Sequence, residues 1–262
     1  SGFLFKRGDV VLLPSLPGFL CRRSGAVFVR KLKAKGVKFI FLVHDIHGLR
    51  MPVGEARDRE LALCMRTLSL FDALIVHNRS MRRWLRQQGV PDEKMIELGL
   101  FDYLARTPSV EDLKSSPHGR FPVICFAGNL SVRKSRWLTS VGAVKDVQWN
   151  MFGPYYDEEL ARQADISYRG CFSPDELPNV LSGDYGLVWD GDSIEACDGP
   201  WGEYERYNNP HKLSLYMAAG LPVVVWSEAA TAAFVKEHDV GICVSSLREL
   251  GERIRTIDSE RY

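Results

Sequence analysis

The segment from Tyr207 to Val225 contains Lys212, a positively charged residue near the predicted start of a helix. Asn209 is a residue type that caps helices and Pro210 fits a first helical turn, so the sequence predicts a helix that runs from here to Gly220. Lys212 then lies in the first turn, where the helix dipole favours anions. A phosphate bound at the free backbone N–H groups would explain the cation. The alternative is a solvated surface lysine.

Four further residues follow predicted strands directly. They are Gly128, Asn129, Gly153 and Asp190. Ligands of open α/β sheets bind outside the carboxyl ends of the strands, so these positions are candidates for ligand contact. Gly and Asn are also ordinary turn residues. Asp190 is equally suited to a ligand contact and to capping a helix.

His44, Asp45 and His47 come at the end of another predicted strand, KFIFLV. Histidine and aspartate are residue types that accept protons in general base catalysis. Such residues also commonly satisfy backbone groups in loops at strand ends. The residue types therefore permit a base here without requiring one.

Patterns typical of metal sites are missing from the sequence. The six histidines, among them His77, His118, His211 and His238, form no HExxH motif, and the six cysteines form no CxxC pair. Asp190-Gly191-Asp192 resembles a DxD triplet, but we interpret it as a loop that follows Trp189. We expect no bound metal and no cofactor.

Apolar, β-rich runs alternate with amphipathic helical patterns along the chain, which predicts parallel sheets. The predicted strands are Val10–Leu13, Lys38–Val43, Ala73–Val76, Lys94–Leu98, Pro122–Ala127, Val147–Phe152, Asp165–Gly170, Tyr185–Asp190, Pro222–Trp226 and Val240–Val244. The predicted helices are Ala26–Lys35, Glu55–Leu70, Met81–Gln88, Asp175–Leu181, Pro210–Ala219, Ala229–Glu237 and Leu247–Ile257.

This rhythm predicts an α/β protein of two Rossmann-like lobes. A polar stretch without periodicity, rich in proline, glycine and serine, interrupts it and predicts a linker at residues 114–120. Residues 1–113 then form an N-terminal lobe and residues 121–262 a C-terminal lobe. The first strand starts close to Ser1, and no glycine-rich βα unit precedes it, so we expect the N-terminal lobe to be incomplete.

The composition narrows the range of function classes. The 262 residues carry a net charge of +1, which gives no field that would collect nucleic acid. The cysteines are scattered and two lie in apolar strands, as is typical of reduced thiols in a cytoplasmic protein. No apolar stretch is long enough for a transmembrane segment. A homo-oligomer is left open.

Three segments resemble one known family in detail. The segments Cys125–Leu130, Ser167–Asp192 and Tyr207–Val225 are similar to the bacterial glucosyltransferase/β-1,6-galactofuranosyltransferase family of GT-B fold. FLVHDIHGLR and GDVVLLPSLPGF are similar to the N-terminal lobe of that family. The resemblance implies a transfer of a hexose from a UDP-sugar to a saccharide or glycoconjugate acceptor. It places the donor nucleotide on the C-terminal lobe and the acceptor on the N-terminal lobe.

The resemblance also implies roles for particular residues. Lys212 and Arg169 would contact the donor diphosphate and supply the positive charge that a metal supplies elsewhere. Tyr207 and its neighbour Asn208 would reach the nucleotide or the sugar. A surface arginine in a salt bridge and a packing tyrosine are the plain alternatives for Arg169 and Tyr207.

The sequence departs from the pattern of many retaining GT-B enzymes at two positions. Those enzymes carry two glutamates about eight residues apart, and Tyr207 and Leu215 occupy the corresponding positions here. We therefore expect an inverting, metal-independent reaction with His44, Asp45 or His47 as the base. The alternatives are a UDP-sugar epimerase or hydrolase of the same fold, or a non-catalytic subunit of a glycosyltransferase complex.

Overall fold

The computed structural model describes residues 5–15, 18, 20, 22–105, 121–156 and 166–257. The chain divides into two compact units, Ser1–Leu100 and Phe101–Tyr262, and each unit contains one parallel sheet. The predicted linker at 114–120 lies outside the described residues. No helix in the described ranges is both long and apolar enough to cross a membrane.

The first unit alternates strands and helices in chain order. Its strands are β1 (Val10–Leu13), β2 (Lys38–Leu42), β3 (Ala73–Val76) and β4 (Met95–Glu97), and they are neighbours in the order β1-β2-β3-β4. Its helices are α1 (Arg23–Ala34), α2 (Glu55–Leu68) and α3 (Arg79–Gln87). A 3₁₀ turn at His47–Arg50 follows β2, and another at Asp92–Lys94 precedes β4.

Hydrogen bonds and an ion pair position helices α3 and α1 in this unit. Helix α3 starts at Asn78, whose side chain accepts a hydrogen bond from the backbone of Met81 at 3.0 Å, as an N-cap residue should. Asp72, just before β3, accepts a hydrogen bond of 2.8 Å from the backbone of Phe39 and an ion pair of 2.8 Å from Lys33 of α1. These contacts tie helix α1 to the sheet.

The second unit is a doubly wound lobe. Its strands are β5 (Val123–Ala127), β6 (Gln148–Phe152), β7 (Ile166–Gly170), β8 (Tyr185–Val188), β9 (Val223–Trp226) and β10 (Gly241–Val244). They are neighbours in the order β10-β9-β8-β5-β6-β7. The strand order therefore reverses between β5 and β8, which is the switch point at which ligands of such sheets bind.

The helices among the described residues of this unit are α4 (Leu177–Val180), α5 (Gly199–Glu203), α6 (His211–Ala218), α7 (Ala232–His238) and α8 (Leu250–Arg255). The large core side chains Phe126, Trp137, Trp149 and Trp189 are buried in its hydrophobic core. Phe126 and Trp137 pack edge to face at 5.0 Å between ring centroids, a favoured aromatic geometry.

Several predicted details were wrong. Helix α6 begins at His211, and its cap residue is Pro210 in an extended conformation, so Asn209 does not cap the helix. Asn209 is instead buried. The 3₁₀ segment Arg136–Ala143 and helix α5 were not predicted, because neither has an amphipathic period of useful length. Cys125 and Cys197 are buried free thiols, whereas Cys21 lies outside the described residues.

Candidate functional site

Helix α6 is fixed against the sheet beside the switch point. The hydroxyl of Tyr216 in α6 accepts a hydrogen bond of 2.8 Å from the backbone N–H of Ala127, the last residue of β5. The ring of Tyr216 covers Gly186 in β8, where an added Cβ would lie 2.2 Å from the Tyr216 Cγ atom. Only glycine allows this close approach, so Gly186 sets the position of the helix and of the residues in its first turn.

Lys212, in the first turn of α6, is held on several sides. Its ammonium donates a hydrogen bond to the carbonyl of Trp189 at 3.3 Å and forms an ion pair of 3.2 Å with Asp190. It also lies 4.9 Å from the ring centroid of Phe126, within the range of a cation–π contact. The side chain of Lys212 is 18% exposed, so it is not a solvated surface lysine.

The strand-end residues of β5 and β6 lie beside it. A Cβ added at Gly128 would be 3.3 Å from the Lys212 Cε atom, and one added at Gly153 would be 1.9 Å from the Gly128 carbonyl oxygen. The side chain of Asn129 accepts a hydrogen bond from the backbone of Ser131 at 2.9 Å. The structure therefore brings Gly128, Gly153, Asp190 and Lys212 together at the switch point, with Asn129 shaping the adjoining loop.

Arg169 lies apart from this group. It is in β7, the edge strand, within the strand that the sequence predicted over Asp165–Gly170. Met151 pairs with Tyr168 and Phe152 with Gly170, so Arg169 is the extra residue of a β-bulge, a feature that redirects side chains. Two strand spacings separate β7 from β5, or about 10 Å, and no described contact joins Arg169 to Lys212.

The guanidinium of Arg169 is oriented by a buried polar residue that sequence reasoning missed. Its Nε donates a hydrogen bond of 2.8 Å to the side-chain oxygen of Asn150, and the Asn150 amide donates one of 2.6 Å to the Ser182 carbonyl. Asn150 is 4% exposed. A polar residue inside the apolar run VQWNMF was the available signal, since a buried amide needs partners.

Tyr207 and Asn208 precede α6. They follow a 3₁₀ turn, Tyr204–Arg206, and their backbone N–H groups both donate to the carbonyl of Tyr204. The side-chain oxygen of Asn208 is buried and accepts no hydrogen bond from any described residue. A buried acceptor of this kind, four residues before Lys212, is available to a ligand donor.

The three base candidates belong to the first unit. His44, Asp45 and His47 are all exposed, and Asp45 forms an ion pair with Arg50 at the end of the following 3₁₀ turn. Exposure at the carboxyl end of β2 is compatible with contact to a substrate. The ion pair with Arg50 distinguishes Asp45 from the two histidines, and His47 is the first residue of the 3₁₀ turn.

Cys197 is a buried thiol close to the charged side chains of Asp190, Glu205 and Lys212. Burial raises the pKa of Cys197, and the charges of Glu205 and Asp190 raise it further, whereas Lys212 lowers it. Glu205 is 2% exposed and lies close enough to act on this thiol. Among the described residues, no group of three or more His, Cys, Asp or Glu side chains converges as metal ligands do.

The second unit places a lysine at the switch point of a doubly wound sheet, and the first unit contains a second parallel sheet. Two α/β units of this kind are the architecture of the GT-B class. The chain belongs to the glucosyltransferase 3-like family. The N-terminal domain of that family matches residues 4–100, and its C-terminal domain matches residues 124–262.

Two relatives show the same membership. The chain is 34% identical to beta-1,6-galactofuranosyltransferase WbbI of Escherichia coli (strain K12) over 230 residues, 86% of this chain and 63% of WbbI. It is 31% identical to glucosyltransferase 3 of Streptococcus gordonii over 259 residues, 97% of this chain and 71% of that protein. The chain thus spans less than two thirds of the length of WbbI.

Solved structures share the fold at low identity. Anabaena HepE in complex with UDP superposes with a TM-score of 0.64 at 14% identity, covering 97% of this chain and 70% of HepE. The pneumococcal O-GlcNAc transferase GtfA, in complex with UDP and GlcNAc, gives a TM-score of 0.56 at 15% identity, covering 99% of this chain and 53% of GtfA. These likenesses establish the GT-B architecture.

Proposed function

We propose that the protein transfers a hexose from a UDP-sugar to a saccharide or glycoconjugate acceptor. The observation that carries the proposal is Lys212, held by the Trp189 carbonyl and Asp190 in the first turn of α6 at the switch point. Backbone N–H groups at this helix end and a fixed ammonium together suit a diphosphate. The glycosyltransferase names of the relatives and the UDP bound to HepE support the choice of ligand.

The proposed donor site extends from Lys212 in two directions. The backbone at Gly128, Asn129 and Gly153 borders it on the side of β5 and β6. Asn208, with its buried acceptor oxygen, and Tyr207 border it before α6. Asp190 belongs to this site through its ion pair with Lys212.

Arg169 has a second, separate place in the proposal. Its Nε is held by Asn150, and its two terminal nitrogens have no partner among the described residues, so they can present a fork to phosphate or carbonyl oxygens. Arg169 and Lys212 share no contact among the described residues, and the proposal assigns both cations to the donor diphosphate, as the family resemblance implies.

The proposal includes inversion at the anomeric carbon and no divalent metal. Tyr207 and Leu215 replace the two glutamates of many retaining enzymes, and Lys212 supplies a positive charge for the leaving diphosphate. His44, Asp45 or His47 accepts the proton of the acceptor hydroxyl. A cytoplasmic location fits the free thiols of Cys125 and Cys197.

Calorimetric titration with UDP tests the donor site. Lys212→Ala should weaken UDP binding by about 1–3 kcal/mol, the range for hydrogen bonds to charged groups. Lys236→Ala, which removes an exposed lysine of α7, is the matched control and should bind like the parent. Titrations with GDP and TDP show which nucleobase the site prefers. Equal UDP affinity in all three proteins would show that Lys212 is not in the donor site.

Two further measurements separate the proposal from its alternatives. Excess EDTA should leave UDP affinity and transfer unchanged, whereas a loss restored by Mg²⁺ or Mn²⁺ would assign a metal to Asp190 and Asp192. Product analysis with and without a saccharide acceptor distinguishes a transferase from an epimerase or hydrolase, since the latter two need no acceptor. Binding of UDP without any turnover would indicate a non-catalytic subunit.

A further inference from the structure

The ion pair between Lys212 and Asp190 is the most informative contact of the second unit. An ammonium group has three N–H donors. One is donated to the Trp189 carbonyl at 3.3 Å, and Asp190 Oδ2 lies 3.2 Å from the nitrogen as an ion-pair partner, so the ammonium keeps donor capacity for a ligand. Both side chains of the pair are 18% exposed, so a ligand can reach them and their charges are only partly screened by water.

We propose that Asp190 makes this site discriminate between an intact sugar nucleotide and the free nucleoside diphosphate, and so promotes product release. The proposal rests on the donor site assigned above to Lys212. The charge of Asp190 weakens the binding of free UDP, and its second carboxylate oxygen strengthens the binding of the sugar.

The charge of Asp190 opposes excess negative charge in the site. It already compensates Lys212, so the pair presents little net charge to a ligand. A free nucleoside diphosphate carries about one more negative charge at neutral pH than its sugar ester, because its terminal phosphate ionises a second time with a pKa near 6. That additional charge lies on the phosphate that bore the sugar. A carboxylate beside the lysine therefore repels UDP more than it repels a UDP-sugar.

The second oxygen of Asp190 favours the sugar. Only Oδ2 contacts Lys212, and Oδ1 has no hydrogen bond among the residues that the structure describes. A sugar hydroxyl can donate to this oxygen in a charge-assisted hydrogen bond, which free UDP cannot offer. The two glutamates of many retaining GT-B enzymes are replaced here by Tyr207 and Leu215, and the carboxylate of Glu205 is buried. Asp190 is thus the accessible carboxylate beside Lys212.

Affinities for UDP and for intact UDP-glucose and UDP-galactose, measured without acceptor, test the inference. In Asp190→Asn the affinity for UDP should rise about five- to tenfold relative to that for the sugar nucleotide that binds best. The ratio of two affinities in one variant is independent of how much of the protein is folded. A structural role alone would leave this ratio unchanged.

Matched variants complete the test. Asp192→Asn removes a carboxylate two residues further along the same loop and should keep the ratio of the parent. Lys212→Ala leaves Asp190 uncompensated, so adding Asp190→Asn to it should recover part of the lost UDP affinity. A ratio equal in Asp190→Asn and the parent overturns the inference, as does a parent that binds UDP but neither sugar nucleotide. A parent that binds none of the three ligands overturns the proposed function itself.

Discussion

At the residue scale, Lys212 owes its position to groups from separate parts of the second unit. The Phe126 ring comes from β5, whereas the Trp189 carbonyl and Asp190 follow β8. The sequence predicted that Lys212 lies in a first helical turn, and this prediction is confirmed. Its pairing with Asp190 was not predictable, because the pair depends on how helix α6 packs on β8.

The contacts of Arg169 were likewise not predictable from the sequence. The sequence predicted the strand that contains Arg169, but not the bulge in it or the partner Asn150 in the neighbouring strand. Bulges arise from pairing between strands and leave little trace in a single strand's sequence. The role of Arg169 in donor binding stays a prediction.

Replacement of Arg169 tests that role. Arg169→Ala should weaken UDP binding by about 1–3 kcal/mol if its terminal nitrogens contact the nucleotide. Since Arg169 and Lys212 share no contact, the double variant with Lys212→Ala should show the sum of the two losses to within about 0.5 kcal/mol. Calorimetry on the four proteins measures this. An unchanged affinity in Arg169→Ala would remove Arg169 from the donor site and leave Lys212 within it.

At the element scale, the predicted strands all exist and only their ends differ. The apolar runs predicted the strands, since strands of buried parallel sheets consist of nearly uninterrupted hydrophobic residues. Helix ends were less certain, as the start of α6 after Pro210 shows. Short helices such as α5 make too few turns for a periodic pattern to appear.

The docking of α6 gives a prediction about stability. In Gly186→Ala the new methyl group would clash with the ring of Tyr216, so the variant should lose about 1–3 kcal/mol of unfolding free energy and some affinity for UDP. Gly18→Ala is the control, because a Cβ there meets nothing within 4 Å. Urea unfolding measures the difference. A Gly186→Ala protein as stable as the control would contradict the tight packing of α6 on β8.

The contacts of Asp72 with Lys33 of α1 and with the first sheet predict how stability depends on pH. Burial raises the pKa of Asp72, but hydrogen bonds from Lys33 and the Phe39 backbone and the charges of Lys33 and Lys94 lower it more, so the pKa falls below its ordinary 3.8. A lowered folded-state pKa means that ionised Asp72 stabilises the fold above about pH 4 and ceases to do so as the pH falls through the folded value.

Asp72→Asn tests this linkage. At pH 7 the variant should lose about 1 kcal/mol of unfolding free energy, because the carboxylate is about one third exposed and its ion pair is partly screened. The difference from the parent should shrink as the pH falls below 4. Urea unfolding at several pH values measures it. A difference that stays constant down to pH 2.5 would show that the charge of Asp72 does not contribute.

At the scale of the whole molecule, the alternation of strands and helices was enough to predict two α/β units. The order of the strands within each sheet was not predictable in the same way, because it depends on which strands pair after the chain crosses over. The family resemblance supplied the GT-B architecture, and the family models and the fold of HepE confirm it. The domain boundaries at 113 and 121 stay a prediction.

The proposed inverting mechanism gives a prediction about three residues of the first unit. Loss of the glutamate pair at Tyr207 and Leu215 favours inversion, and inversion requires a base for the acceptor hydroxyl. A general base contributes about 10²- to 10⁴-fold. His44→Gln, Asp45→Asn and His47→Gln should therefore lower turnover on that scale at one of the three positions. UDP affinity, which the proposal assigns to the second unit, should stay near that of the parent in each variant.

Nuclear magnetic resonance of the anomeric centre in the product tests inversion independently of the variants. A β-linked product from an α-linked UDP-hexose is expected, because direct attack by the activated hydroxyl displaces the diphosphate from the opposite face. An α-linked product would show retention and would remove the need for a base after β2. Turnover unchanged in all three variants, with a β-linked product, would preserve inversion and place the base elsewhere in the chain.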